Sequence, residues 1–289
     1  MHPAPSVIAF TTFSGLGFGL LFWLGLGLPA PTGLVALGFY VIAYVGAVGG
    51  LLASTFHLGR PERAAKALTQ WRTSWLSREG IAAIVTLLLG GVLALAALFG
   101  SYLAPLGWLV SLGCLVTVGT TAMIYAQLRT VPRWRHWTTP ALFFTLSLGG
   151  GALLANQGAA ALALLTLGAV VQFIAWVTGD TRFDRSGTTT GSATGLGDLG
   201  EVRAFLPPHS GPNYLLREFV YVVGRKHAFY LRLIGMVLAF GVPLPILAVE
   251  LTHLTAGVAV LSHVLGVLCL RWLFFAQAEH VVGLYYGKR

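Results

Sequence analysis

"HLGRPERAAKALTQWRTSWLSREG", residues 57–80, lies between two long apolar runs and carries five of the chain's eighteen Lys and Arg residues. The stretch is too polar for a bilayer interior, and its flanks are too apolar for water. It therefore reads as a water-side turn between two membrane crossings. Composition agrees: of 289 residues, 56% are hydrophobic and only 9% charged. Soluble domains carry about 25% charged residues. Apolar runs of about 20 residues match a hydrocarbon thickness of about 30 Å.

Working outward, eight spans are predicted, near 7–28, 33–56, 80–101, 104–127, 138–156, 159–178, 229–250 and 254–276. Turn chemistry marks several of their ends: "PAPTG" at 29–33, "LAPLG" at 103–107 and "NQGA" at 156–159. The expected architecture is all-α, an eight-transmembrane-helix bundle forming one integral membrane domain over 1–289. In "SGLGFGLLFWLGLG", residues 14–27, Gly15 and Gly19 form a small-xxx-small pair that lets helices approach closely. The start, "MHPAPSVIAF", has no basic residue before its apolar run, so no cleavable signal peptide is expected. Cys114 and Cys269 both fall inside apolar runs and read as buried spacers.

The formal charge of +9 does not point to nucleic acid, because its distribution has another explanation. Arg60, Arg63, Lys66, Arg72 and Arg78 lie between spans two and three. Arg129, Arg133 and Arg135 lie between four and five, and Arg182 to Lys226 between six and seven, with Arg232 just inside span seven. Arg271, Lys288 and Arg289 are placed at or beyond the end of span eight, and the alternate loops contain no Lys or Arg. Every cation thus falls on one side. Short loops rich in Lys and Arg stay cytoplasmic, so both termini are expected in the cytoplasm, with the chain in the cell's inner membrane. The long loop 179–228 on that side begins "GDTRFDRSGTTTGSATGLGDLG", a flexible composition. Its later apolar patch (Leu215, Leu216, Phe219, Val220, Val223) suits a docking segment on a membrane or a partner.

The opening stretch also holds the candidate chemistry. "PERAAKALTQW" reads as a short interfacial helix, with Trp71 and Trp75 at headgroup depth and Ser77 capping span three. His57 then stands at the exit of span two and Glu79 at the entrance of span three. Ionisable groups at the hydrocarbon edge are costly and so are functional candidates. An imidazole can hydrogen-bond a quinone carbonyl, and a carboxylate can exchange its proton with water. The alternative is structural: His57 as a cap, with Glu79 paired to Arg60 or Arg78. In "LRTVPRWRHWTTPALFF", residues 128–144, Trp134 and Trp137 read as anchors and His136 as interfacial. His253 and His263 lie on one helix and cannot ligate one haem from opposite faces, so no haem is expected. Arg232, His280 and Arg271 lie towards the charged face and could border the pocket of His57. A transporter would show inverted repeats or midspan carboxylates, and neither is evident.

The motifs "HLGRP" (57–61), "SRE" (77–79), "TVPRW" (130–134) and "WTTP" (137–140) resemble those of the DmsC family, within the wider NrfD-like membrane anchors of dimethyl sulfoxide reductase-type molybdoenzymes. That resemblance implies a non-catalytic anchor without haem. It implies two partners: an electron-transfer subunit with four [4Fe-4S] iron–sulfur clusters, and a catalytic subunit holding the molybdenum cofactor on its molybdopterin. It further implies a ubiquinone or menaquinone site at His57 and Glu79, with Gly59 allowing close backbone approach; Arg60 beside His57, and Arg232 and His280 on the same membrane side, are read as further lining. Arg63, Lys66, Arg72, Arg78, Arg133 and Arg135 are expected to dock the partner. A cytoplasmic docking face is similar to that of the quinone-linked sulfite dehydrogenases, so sulfite oxidation is the expected setting. A menaquinol-oxidising anchor of a sulfoxide reductase is the alternative.

Overall fold

The computed structural model describes residues 1–56, 61–206, 209, 211, 213–221, 227–249 and 252–287, the side chains of 61–64 excepted. Among the described residues the regular structure is helical throughout. The principal helices are α1 (Pro5–Gly25), α2 (Gly33–Thr55), α3 (Trp75–Leu98), α4 (Ala104–Ala126), α5 (Thr138–Leu154), α6 (Gly158–Gly179), α7 (Ala228–Leu247) and α8 (His253–Ala276). Seven of these are long and apolar enough to cross a membrane. The exception is α5, whose 17 residues span about 25 Å at the α-helical rise. It is enclosed by its neighbours, and most of its side chains are buried. Asn156, at φ 55°, turns the chain sharply at its end, where the "NQGA" turn was predicted.

Helix α1 is the hub, packing against α2, α4 and α5. Its glycines permit this. A Cβ on Gly19 would lie 1.9 Å from the Ser147 carbonyl oxygen, and one on Gly17 would lie 2.2 Å from the Ala47 nitrogen. Ser147 on α5 donates its hydroxyl to the Gly15 carbonyl, so the Gly15–Gly19 pair does face a helix at close range. Trp23 Nε1 adds a hydrogen bond to the Leu148 carbonyl at 2.9 Å. Both α1 and α7 contain a π-helical turn, at Phe10–Ser14 and Val237–Gly241. Such turns shift the helical register and are frequent at functional sites. Large apolar side chains such as Leu34, Val45, Leu88 and Phe173 are exposed on the outside, as a lipid-facing surface requires.

The start of α3 departs from expectation. The helix begins at Trp75, not near 80, because Ser74 is its N-cap and accepts from the Ser77 amide at 3.4 Å. Ser77 is buried instead of capping. Glu79 consequently sits in the second turn, heading the buried stripe Glu79, Ala83, Thr86, Gly90, Leu93 and Ala97. The 3₁₀ helix Pro61–Gln70 packs beside it.

The two ends of the chain meet. The Met1 amino group donates to the Ala278 carbonyl at 2.6 Å, and the His2 amide donates to Glu218 at 2.7 Å. The His2 and Tyr221 rings pack edge to face. Part of the long loop therefore folds onto the chain's own termini, with Phe219 against His280 and Asn213 bonded to Tyr286. Val223 lies outside the described residues.

Candidate functional site

Helix α3 turns Glu79 inward, where it is 3% exposed. Thr121 Oγ1 on α4 lies 2.5 Å from Glu79 Oε1 and 2.9 Å from the Thr117 carbonyl, so its single proton is shared between the two acceptors, the carboxylate being the nearer. Below them lies an aromatic layer. Tyr125 stacks on Phe143 and meets Trp134, Phe274 and Phe275 edge to face. Trp134 is 2% exposed, stacks on Phe274 and bonds its carbonyl at 3.0 Å. It is a core residue rather than the headgroup anchor expected, because the rings of Tyr125, Phe274 and Phe275 enclose it. Trp71 and Trp137 are exposed, as anchors should be.

Arg271, expected at the water-side end of span eight, lies within α8 and is 4% exposed. Its guanidinium sits 3.7 Å from the centroid of the Phe143 ring. A cation inside an otherwise apolar run was the signal that could have marked it. Thr121 and Tyr125 gave no such signal, being ordinary residues in a membrane helix.

A separate polar cluster lies at the charged end of the bundle. Arg232 NH1 and NH2 donate to Asp180 at 2.8 and 2.6 Å, and Arg133 joins at 2.7 Å. The Gln277 amide, with its oxygen towards Arg232, accepts at 2.9 and 2.6 Å. Burial alone would raise the Asp180 carboxyl, but the hydrogen bonds from Arg232 and Arg133 override it and hold the group below its ordinary value of 3.8. The depressed folded value fixes the sign. The cluster's stability is fully present above the unfolded carboxylate's pKa, about 4, and is lost as pH falls through the lower folded one. Asp180→Asn is expected to lower the unfolding temperature at neutral pH and to narrow its gap from the value below about pH 4. The carboxyl is 43% exposed, so the shift should be a few degrees at most; no shift at neutral pH would mean that the cluster contributes nothing.

The remaining predicted residues fall in different places. His57, Gly59 and Arg60 lie outside the described residues, as does the side chain of Arg63. Arg232 belongs to the Asp180 cluster. His280 bonds the Val282 amide at 3.0 Å and packs on Phe219. Burial and the nearby amino terminus hold its imidazole below the ordinary range. Of the expected docking residues, Lys66, Arg72 and Arg135 are exposed. Arg78 instead donates to the Trp71 and Arg72 carbonyls at 2.8 and 2.6 Å, bracing the turn before α3. Arg133 is held by Asp180. His136, kept low by burial and by Arg182, accepts from the Thr138 amide at 3.3 Å at the start of α5. His263 Nδ1 bonds the Ala239 carbonyl in the π turn of α7 at 2.8 Å. Among the described residues no group of three His, Cys, Asp or Glu gathers as a metal site.

No solved structure matches the chain. A sulfite dehydrogenase subunit of Allochromatium vinosum is 31% identical to it over 99% of each chain. The family described as DMSO reductase anchor subunit (DmsC) matches residues 5–178, the part of the chain that includes Glu79 and Thr121. The chain therefore belongs to the DmsC family of membrane anchor subunits.

Proposed function

We propose that this anchor exchanges electrons between an iron–sulfur partner and the membrane quinone pool, at a quinone site built on Glu79 and His57. The observation that carries the reading is a carboxylate enclosed at the head of α3 and held by the Thr121 hydroxyl. Reducing a quinone takes two electrons and two protons. The electrons come from a cluster in the partner, whereas the protons come from water. A carboxylate at the boundary between lipid and water can relay those protons to a ring oxygen, and a histidine at the exit of α2 can hydrogen-bond a ring carbonyl. Gly59 and Arg60 adjoin that histidine in sequence. Arg232 and His280 have partners of their own and are the weaker members of the proposed lining.

The assembly follows from the family: an iron–sulfur subunit, with four clusters in this reading, and a molybdenum catalytic subunit. Exposed Lys66, Arg72 and Arg135, together with Arg63, form the docking face. Arg78 and Arg133 support it from within. Eight crossings are proposed, with α5 as the short one. The meeting of Met1 with Ala278 supports an even number, since an odd number would part the ends. One-sided basic charge supports cytoplasmic termini in the inner membrane, and the whole chain is read as one domain. The relative named as a sulfite dehydrogenase subunit favours sulfite oxidation with electrons flowing to quinone. The family match itself favours the alternative, quinol oxidation feeding a sulfoxide reductase.

The test uses the assembled complex with reduced clusters, reoxidised by added decylubiquinone. His57→Ala should slow reoxidation about tenfold or more, the scale of one lost hydrogen bond of about 1.5 kcal/mol, while all subunits still copurify. Wild-type reoxidation kinetics in that variant would remove His57 from the site.

A further inference from the structure

Arg271 is a buried cation with no counter-ion in contact among the described residues. Its Nε has no hydrogen-bond partner among the described residues, and its neighbours include the rings of Phe143 and Phe274. An isolated charge in a low-permittivity interior is very costly, so an anion formed near it is strongly favoured. The Asp180 carboxylate is not available, being shared by Arg133 and Arg232.

The geometry around Arg271 leads to Glu79. Arg271 and Thr121 line one small cavity together with Thr11, Ser14 and Phe143. Thr121 is the residue that donates to Glu79. Tyr125, one turn along α4 from Thr121, stacks on Phe143, the ring over which the Arg271 guanidinium sits. The cavity has room for about one water molecule, too little for a quinone ring, so the cation does not bind the substrate there. Among the described residues, other charged groups near the head of α3 are engaged or face water. Arg78 is spent on backbone carbonyls, and Lys66 on the 3₁₀ helix is exposed. Helix α2 presents Tyr44 further along, bonded to the Leu87 carbonyl.

We infer that Arg271 is a positioning residue for the quinone reaction: it is the counter-charge of Glu79, acting across the Thr121 layer to stabilise the carboxylate left when the proton moves to a ring oxygen. This rests on the proposed quinone site and adds a residue outside it. In the step, quinone gains two electrons from the partner's cluster and two protons to give quinol. Glu79 supplies one of those protons and recovers it from water, while Arg271 keeps its own protons throughout.

The experiment is a double-mutant cycle in the assembled complex, read as the maximal rate at which decylubiquinone reoxidises the reduced clusters. Arg271→Gln should lower that rate about tenfold in the wild-type background, the scale of one charge pair at the effective permittivity of buried sites. It should have no further effect on Glu79→Gln, and Arg271→Lys should recover most of the loss. A merely structural role would slow both backgrounds alike. If Arg271→Gln alone does not assemble, an orphaned carboxylate predicts that Glu79→Gln/Arg271→Gln assembles again; failure of that rescue overturns the inference. So does equal slowing in both backgrounds. A slow Glu79→Gln beside a normal Arg271→Gln overturns the counter-charge alone, whereas a normal Glu79→Gln overturns the quinone site and this inference together.

Discussion

Glu79→Gln is expected to slow quinone-dependent reoxidation of the complex about 100-fold, the lower range for loss of a general acid–base group. The substitution is nearly isosteric, and the amide oxygen can still accept from Thr121. The helix, its Ser74 cap and the aromatic layer beneath should therefore be undisturbed, and the complex should assemble. What is lost is the ability to give and regain a proton. The defect should appear in the maximal rate, with the quinone concentration for half-maximal rate little changed. Thr121→Val makes a complementary comparison. It keeps the carboxylate but removes its donor, 2.5 Å away. A hydrogen bond to a charged group contributes about 1.5–3 kcal/mol, so mobility of Glu79 should lower the rate about tenfold. Stopped-flow optical kinetics of the clusters would read both variants. A wild-type rate in Glu79→Gln would leave the carboxylate a structural role only, and the site would have to be sought elsewhere on the charged face.

Much of this arrangement was legible because the bilayer simplifies the physics. Backbone groups in lipid must bond within their own segment, so apolar runs become helices and Pro, Gly and Asn mark their ends. The predicted spans accordingly fall on the helices, with the largest error at α3. That error came from taking Ser77 as the cap. Ser74 and Ser77 both suit a cap, and only the fold, by burying Ser77, decides for Ser74. Glu79 could be singled out because a carboxylate is rare in such surroundings. Its partner could not, since a threonine's second hydrogen bond depends on which helix stands opposite. The one-sided placing of the basic residues was a pattern in the sequence, but the partner that Arg232 and Arg133 share was not. Sequence separates these from Asp180 by 52 and 47 positions, and their shared carboxylate exists only after α6 and α7 assemble. Arg271 was misplaced for a related reason. A window average assigns an arginine near a helix end to the water, whereas the ring of Phe143 offers it a seat inside.

Gly19→Leu should have the largest effect on the chain itself: loss of the protein from the membrane fraction, and with it loss of the complex. The reason is the path of α1 through the bundle. A Cβ at Gly19 would stand 1.9 Å from the Ser147 oxygen and 2.7 Å from its carbonyl carbon. Facing it, a Cβ at Gly151 would meet the Gly19 carbonyl carbon at 2.1 Å. These are backbone atoms of two helices in direct contact, so no rotamer change relieves the clash, and the axes must separate. Overpacking in a core usually costs about 1–3 kcal/mol and occasionally more. Here separation would also break the Ser147–Gly15 and Trp23–Leu148 hydrogen bonds that join the same two helices. It would also displace Phe143, the seat of Arg271, because Phe143 and Ser147 share α5. The control is Gly38→Leu. Nothing lies within 4 Å of a Cβ there, the neighbouring residues of α2 are exposed and apolar, and a leucine should be tolerated or slightly stabilising. Membrane levels of the two variants, followed by heating the solubilised complex, separate a packing requirement from a general dislike of bulk in α1 and α2. If Gly19→Leu accumulated and melted like Gly38→Leu, close contact between α1 and α5 would not be what holds this bundle together.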